Sequence, residues 1–353
     1  MTRKSLMMVS GLAATGLVAG ALIMIRPALA GNELRVVSWG GAYQEALRKA
    51  YFEPFTKSTG IKITEDAYSG ESGKIRAMVE SKTVSWDLVE VGFDTDALCA
   101  ANIVERMDWN KLGLDRSKFM GDKNDCGIPF VAAANIVAYD KDKLANGPKT
   151  IADLFDMKKF PGKRGLYKSP KSTLEWALIA DGVPVKDVYK VLGTPEGVDR
   201  AFKKLDTIKR DVVWWSAGAV PPQLLADGQV VMTAAFNGRI SDAIKKSGKN
   251  FEIMWDASIL GWGIWVIPRG SPRIEEAYKF IAFASSPQVQ ADLTHYIPYG
   301  PANKDAIALI DRAILPDLPN APANMTNALE FDYAFWGERG PDLDKRFAAW
   351  LAR

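Results

Sequence analysis

The chain has 353 residues, with 45 Lys plus Arg against 42 Asp plus Glu, one His and two Cys. So few His and Cys exclude a His-rich metal site, a Cys-based zinc module and a disulfide-stapled miniprotein. With 48% hydrophobic residues, 25% charged and 11 Trp, the composition is that of a folded protein able to bury a core, and the length predicts two domains.

Residues 1–30 read as a signal peptide. Arg3 and Lys4 form a positive start, residues 5–25 carry no charge, and Ala28-Leu29-Ala30 is an A-x-A cleavage site before Gly31. The uncharged run is just long enough to span a bilayer, so an uncleaved anchor is the competing reading; Gly11, Gly16 and Gly20 weaken the span. The absence of a Cys after the run argues against a lipid anchor. The signal holds three basic residues, Arg3, Lys4 and Arg26, and no acid, so the mature chain has 42 basic against 42 acidic residues. A net charge near zero gives no support to nucleic-acid or membrane-surface binding.

From residue 34 the pattern alternates. Leu34 to Trp39 is a strand, Gly40-Gly41 a turn, and Tyr43, Leu47, Ala50 and Tyr51 share one helix face until Pro54 interrupts it. Ile61 to Thr64 begins a second strand, 72–81 a second helix and Trp86 to Val91 a third strand. The grammar restarts with Gly165-Leu166-Tyr167, a helix around 172–180, a helix from Pro222 to Ala226 and Val230-Val231-Met232. Residues 274–281 are amphipathic, and Pro341 is expected to open a last helix carrying Leu343, Phe347, Trp350 and Leu351 on one face. Repeated βαβ order predicts parallel sheets covered by helices, in two α/β lobes.

Catalytic motifs are mostly refused. Gly70-Glu71-Ser72-Gly73-Lys74 lacks the first glycine and the final hydroxyl of a phosphate loop. No G-x-S-x-G, C-x-x-C or H-E-x-x-H occurs, and His295 has no sequence-marked partner. What stands out is aromatic residues beside glycines in turn contexts: Trp39-Gly40-Gly41-Ala42-Tyr43, Trp214 to Gly218 in a loop, Phe236-Asn237-Gly238-Arg239 ending a strand, Gly261 to Trp265 entering another, and Tyr296 to Gly300 in a turn. In open α/β sheets ligands sit outside the carboxyl ends of the strands, so the set predicts an aromatic-lined cleft.

Ser38 to Ala46, Trp214 to Ala219 with Gln223 to Gly228, Phe236 to Ile240 and Tyr296 to Pro301 resemble the periplasmic substrate-binding proteins of polyamine-type (spermidine/putrescine) ABC transporters, over nearly all of residues 34–353. The resemblance implies an α/β Venus flytrap of the type II binding-protein class with two interlobe crossovers, near Ala138-Tyr139-Asp140 and Gly261 to Trp265. Lobe 1 would be 31–138 with 264–325, lobe 2 139–263, and helices in 326–353 would pack across both. It implies a periplasmic monomer that takes a small amine-bearing solute, needs no cofactor, makes or breaks no bond, and docks on a membrane permease.

Carried over residue by residue, the resemblance puts Trp39, Tyr43, Phe236 and Tyr299 on aromatic ligand positions, with Trp215 and Trp262 beside them. The family's carboxylates do not carry over: two of them align with Ser169 and Ser172 and a third with Gly263. Glu71, Asp94 or Asp332 is the expected substitute anion, and Arg239 a partner for a ligand carboxylate or a structural ion pair. A plain diamine is therefore disfavoured, with thiamine and zwitterionic or opine-like solutes left open beside an exported carboxylate-dependent hydrolase or lyase. Cys99, on the helix after the third strand, and Cys126, just before the strand Ile128 to Ala138, are expected to form a disulfide in an oxidising compartment.

Overall fold

The computed structural model describes residues 32–121 and 124–353, so the signal-peptide expectation lies outside the described residues. Ten strands make one mixed sheet: β1 (Glu33–Ser38), β2 (Lys62–Ala67), β3 (Leu88–Val91), β4 (Ile128–Asp140), β5 (Arg164–Tyr167), β6 (Val212–Trp215), β7 (Met232–Phe236), β8 (Phe251–Val266), β9 (Gly300–Pro301) and β10 (Leu329–Glu330). The order is β2-β1-β3-β8-β4-β7-β5-β6, with β9 joining β4 and β10 joining β8. β1 pairs parallel with β2 and β3, and β5 parallel with β6 and β7. These two parallel groups are the cores of two lobes, each covered by helices as βαβ connections require.

Between them runs the antiparallel pair β4 and β8, which belongs to both lobes. Ala133 pairs with Gly261 and Asn135 with Ile259, but Val137 pairs with Met254, and Ala257 takes a left-handed backbone with φ 52° in the skipped segment. The extra residues bend β8, so the sheet turns where one lobe passes into the other. The expected lobe edges at 138/139 and 263/264 fall inside these two strands rather than in loops. Gly261 to Trp265 accordingly lies within β8 instead of entering a strand.

Three local expectations are corrected. Pro54 does not end the first helix: Gly41–Leu47 runs through a π turn, Arg48–Phe52, into Glu53–Thr59, and the wider turn just before Pro54 accommodates its missing N–H. Trp214 and Trp215 are not in a loop but in β6, opposite Leu166 and Tyr167. Pro341 does not open the last helix, which is a single helix Tyr333–Leu351 with Pro341 inside it. Its buried residues Tyr333, Trp336, Gly340, Leu343 and Phe347 recur every three or four positions straight across the proline. Burying Trp336, whose Nε1 donates to Glu175 at 2.8 Å, offsets the roughly 3 kcal/mol that an interior proline costs. Asp332, a candidate anion from the sequence, caps this helix by accepting from the Phe335 N–H at 2.9 Å.

The helix reaches from β8 to the helix Pro195–Asp206. The Tyr333 hydroxyl accepts from the Trp262 N–H at 2.7 Å, while Trp350 Nε1 donates to Asp206 at 2.7 Å. Cys99 and Cys126 are joined, with Cα atoms 5.6 Å apart, tying the helix Thr95–Ala100 to the segment before β4. Among the described residues no helix is long and apolar enough to cross a membrane.

Candidate functional site

At the bend of β4 and β8 lies a cavity of about 60 Å³ whose walls come from both lobes. Trp39 follows β1, Tyr43 stands on the first helix, and Glu90 and Phe93 come from β3 and its end. Asn135 lies on β4, Trp262 and Gly263 on β8, Phe236 and Arg239 at the end of β7, and Tyr299 just before β9. Tyr43 and Tyr299 meet edge to face with centroids 5.1 Å apart. The walls are mainly aromatic, but two buried charged groups face the same space.

The first is Glu90, 2% exposed in the middle of β3. Its Oε2 accepts from Ser38 Oγ at 2.6 Å and its Oε1 from the Tyr43 hydroxyl at 2.8 Å. Burial pushes its pKa up to about 7, against the opposing pull of Ser38, Tyr43, Arg239 and Trp39. Burial and the nearby Glu90 in turn raise the Tyr43 pKa well above the ordinary tyrosine range.

The second is Arg239, 4% exposed, in the first turn of helix Asn237–Ser247. Its Nη1 donates to the Gly40 carbonyl at 3.1 Å and its Nη2 to the Trp39 carbonyl at 3.0 Å, linking the two lobes. Its Nε is buried with no acceptor. Among the described residues no carboxylate forms an ion pair with it, so the structural salt bridge weighed from sequence is not made. A Cβ at Gly41, whose φ is +62°, would come within 2.9 Å of Nη1, so glycine there leaves the guanidinium its berth.

Gly263 lies beside Glu90. A Cβ built at 263 would lie 2.5 Å from Glu90 Oε1, so the place that an acid on β8 would fill is held by an acid from β3, two strand positions away in space. The anions expected from sequence, Glu71, Asp94 and Asp332, do not line this cavity, and Glu90, which does, is not among them. The available signal was a single charge inside the short apolar run Leu88 to Val91.

Trp39, Tyr43, Phe236, Arg239, Trp262 and Tyr299 thus meet in one cavity, as the sequence expects. Glu71, Asp94 and Ser169 do not; they line a polar chamber of about 350 Å³ next to it, behind Trp39, Gly92 and Phe93. There Lys171 Nζ lies 2.9 Å from Asp94 and 3.5 Å from Asp344, joining three chain segments. Ser172 sits outside both cavities and accepts from Asn135 Nδ2 at 3.0 Å. Trp215 is buried behind the wall, edge-on to Phe236 at 6.3 Å and tilted against Tyr167 at 4.9 Å.

The family model of bacterial extracellular solute-binding proteins matches residues 50–326. The gamma-aminobutyric acid-binding protein of Pseudomonas aeruginosa is 46% identical over 326 residues, 91% of this chain and 92% of that protein. A solved structure of a GABA receptor superposes with a TM-score of 0.79 at 35% identity, covering 91% of this chain and 98% of that one. The spermidine/putrescine-binding periplasmic protein of Salmonella typhimurium is 24% identical over 293 residues, 78% of this chain and 82% of that protein.

Proposed function

The chain belongs to the bacterial extracellular solute-binding proteins, and we propose that it captures a short zwitterionic ω-amino acid of the size of γ-aminobutyrate and delivers it to an ABC transporter permease. The observation that carries the reading is Arg239: a buried guanidinium with an unused Nε and no protein carboxylate, in the same cavity as a buried carboxylate. Leaving a charge buried and unpaired is costly, so the arrangement favours a ligand that brings its own anion. Arg239 then takes the solute's carboxylate, Glu90 its ammonium, and the aromatic walls its methylenes and the ammonium's charge.

Size supports the same class. A cavity of about 60 Å³ holds roughly four to six water-sized positions, which suits a solute of about seven non-hydrogen atoms. A diamine fits the aromatic cage and Glu90 but sets its second ammonium against Arg239. The greater identity to a γ-aminobutyrate binder than to a polyamine binder points the same way. The lobes close because the solute touches both, Arg239 from one side and Glu90 and Tyr43 from the other. Export of the mature chain from Gly31 to the periplasm is part of this reading, and N-terminal sequencing of the exported protein tests it.

Calorimetry against γ-aminobutyrate, β-alanine, 5-aminovalerate and putrescine decides the ligand class. The expected order puts γ-aminobutyrate first and putrescine at least about a hundredfold weaker, one charge-assisted pair being worth up to about 3 kcal/mol. Putrescine binding as tightly as γ-aminobutyrate overturns the role given to Arg239.

A further inference from the structure

The polar chamber lies where the carboxyl ends of the two parallel groups face each other. Glu71 follows β2 and Asp94 follows β3, while Lys168 and Lys171 follow β5 and Ser216 follows β6. One ion pair crosses it, with Lys171 Nζ 2.9 Å from Asp94. Lys171 is 8% exposed, an uncommon degree of burial for an ammonium, and its tip also lies over the Trp336 ring at 5.7 Å. Asp344, 3.5 Å from the same ammonium, approaches from the last helix. The half of that helix beyond Pro341 packs on the β5–β7 group, Phe347 standing edge-on to Trp214 at 5.6 Å and Trp350 bonding Asp206, so this second pair does not cross the chamber. Of the other charged groups on the lining, Glu71 turns back to accept from the Ser69 N–H at 2.9 Å, and Lys168 is exposed.

Local structure aims both partners at each other. The Lys171 N–H donates to Ser169 Oγ at 3.2 Å, and the next residue, Ser172, takes a left-handed backbone with φ 67°. That conformation is costly for a serine and persists only where its surroundings hold it. Asn135 of β4, a lining residue of the solute cavity, holds it by donating from Nδ2 to Ser172 Oγ at 3.0 Å. Across the chamber, Asp94 stands just before the helix Thr95–Ala100, where an aspartate ordinarily caps, yet its side chain makes no capping bond. Its carboxylate goes to Lys171 instead.

We propose that Lys171 and Asp94 form a latch that sets how long the chain stays closed on its solute, without touching the solute. The inference rests on solute capture by lobe closure and not on which solute is taken. The pair exists only while the two strand edges face each other, so it adds to the closed state alone. Removing it lowers the closed population and weakens every solute by one common factor, whatever the solute's charge or length. That factor falls on dissociation, because opening precedes release. The Asp344 pair steadies the last helix on its own side and leaves closure unaffected.

Lys171→Met and Asp94→Asn are compared with wild type against γ-aminobutyrate, 5-aminovalerate and putrescine, by calorimetry and stopped-flow kinetics. Each variant is expected to weaken all the solutes that bind by the same factor, about fivefold, with dissociation faster by that factor and association unchanged. The double variant is expected to be no weaker than either single one, since both remove one pair. Two controls keep the wild-type affinities: Lys168→Met, which takes the same charge from the chamber's lining, and Asp344→Asn, which breaks only the pair that does not cross. Unchanged affinity in both latch variants, a loss that differs between solutes, losses that add in the double variant, or the same loss in either control overturns the proposal. Putrescine bound as tightly as γ-aminobutyrate, with the common factor intact, overturns the ω-amino-acid reading and leaves the latch standing. Should none of the three bind, small-angle scattering of the ligand-free chain decides. A larger radius of gyration in both latch variants than in wild type and Lys168→Met supports the latch, and equal radii overturn it.

Discussion

Replacing Glu90 by Gln keeps the shape of the side chain and removes its charge. A carboxyl whose pKa is about 7 in the folded chain and 4.5 when solvated binds its proton more tightly when folded. Below about pH 4.5 both states are protonated and the group adds nothing to the pH dependence. As the pH rises towards 7 the unfolded chain releases its proton first, so folding stability falls by about 1.4 kcal/mol per pH unit, to a loss of about 3 kcal/mol above pH 7. Glu90→Gln abolishes that fall. Urea unfolding of both proteins at pH 4.5 and pH 8 should show the variant's relative stability rising by about 3 kcal/mol between the two. Glu175, buried against Trp336 and likewise raised to about 7, is present in both proteins and cancels. Ligand binding carries the opposite sign: an ammonium needs the ionised carboxylate, so wild-type affinity falls about tenfold per pH unit below 7, with a proton released on binding. Glu90→Gln binds more weakly at pH 8 and has no such slope. A relative stability that does not move with pH, or a pH-independent wild-type affinity, refutes the assignment of Glu90 as the buried, proton-bearing partner.

Arg239→Met is expected to weaken γ-aminobutyrate by about a hundredfold while narrowing or inverting its advantage over putrescine, measured by calorimetry; charge-assisted pairing of up to about 3 kcal/mol sets the scale. Gly263→Asp drives its Cβ against Glu90 and Val131 and should abolish binding in the same assay, and Glu90→Ala, which relieves only the first of these clashes, should not restore it. Cys99→Ser with Cys126→Ser opens a loop of 27 residues' separation and should cost about 3.5 kcal/mol in denaturant unfolding under the chain-entropy treatment. Lys171→Met leaves the partly exposed Asp94 and Asp344 without the cation they share, and thermal unfolding should show a loss of about 1 kcal/mol.

Much of this fold is legible locally. β1, β3, β5 and the helices Ser72–Glu80, Thr173–Ala180 and Ile274–Ala284 follow from apolar spacing or from short apolar runs, the latter where an element such as β3 or Thr173–Ala180 is buried on all sides. Proline misleads where its neighbours outweigh it: Pro54 follows a π turn that accommodates it, and Pro341 is overridden by the stripe from Tyr333 to Phe347. Trp214 and Trp215 read as loop because two adjacent indoles show no alternation, yet one faces the last helix and the other Phe236. The aromatic half of the site was readable from glycine-flanked clusters. Arg239 was readable in the same way, beside Phe236, but Glu90 was not singled out, because what distinguishes it from forty-odd other acids is mainly three-dimensional: Ser38 and Tyr43 reach it across two elements.

The vacancy at residue 263 bears on how solute preference drifts among such proteins. A charge that leaves one strand and reappears on its neighbour preserves the local field while erasing itself from any column-by-column comparison. Two chains can therefore look different at every acidic position and still offer an amine the same electrostatic address, and what changes the cargo is the group placed at the opposite end of the pocket. In the reading proposed above that group is the Arg239 guanidinium, berthed over Gly41, which would favour an amino acid over a diamine without removing the anion.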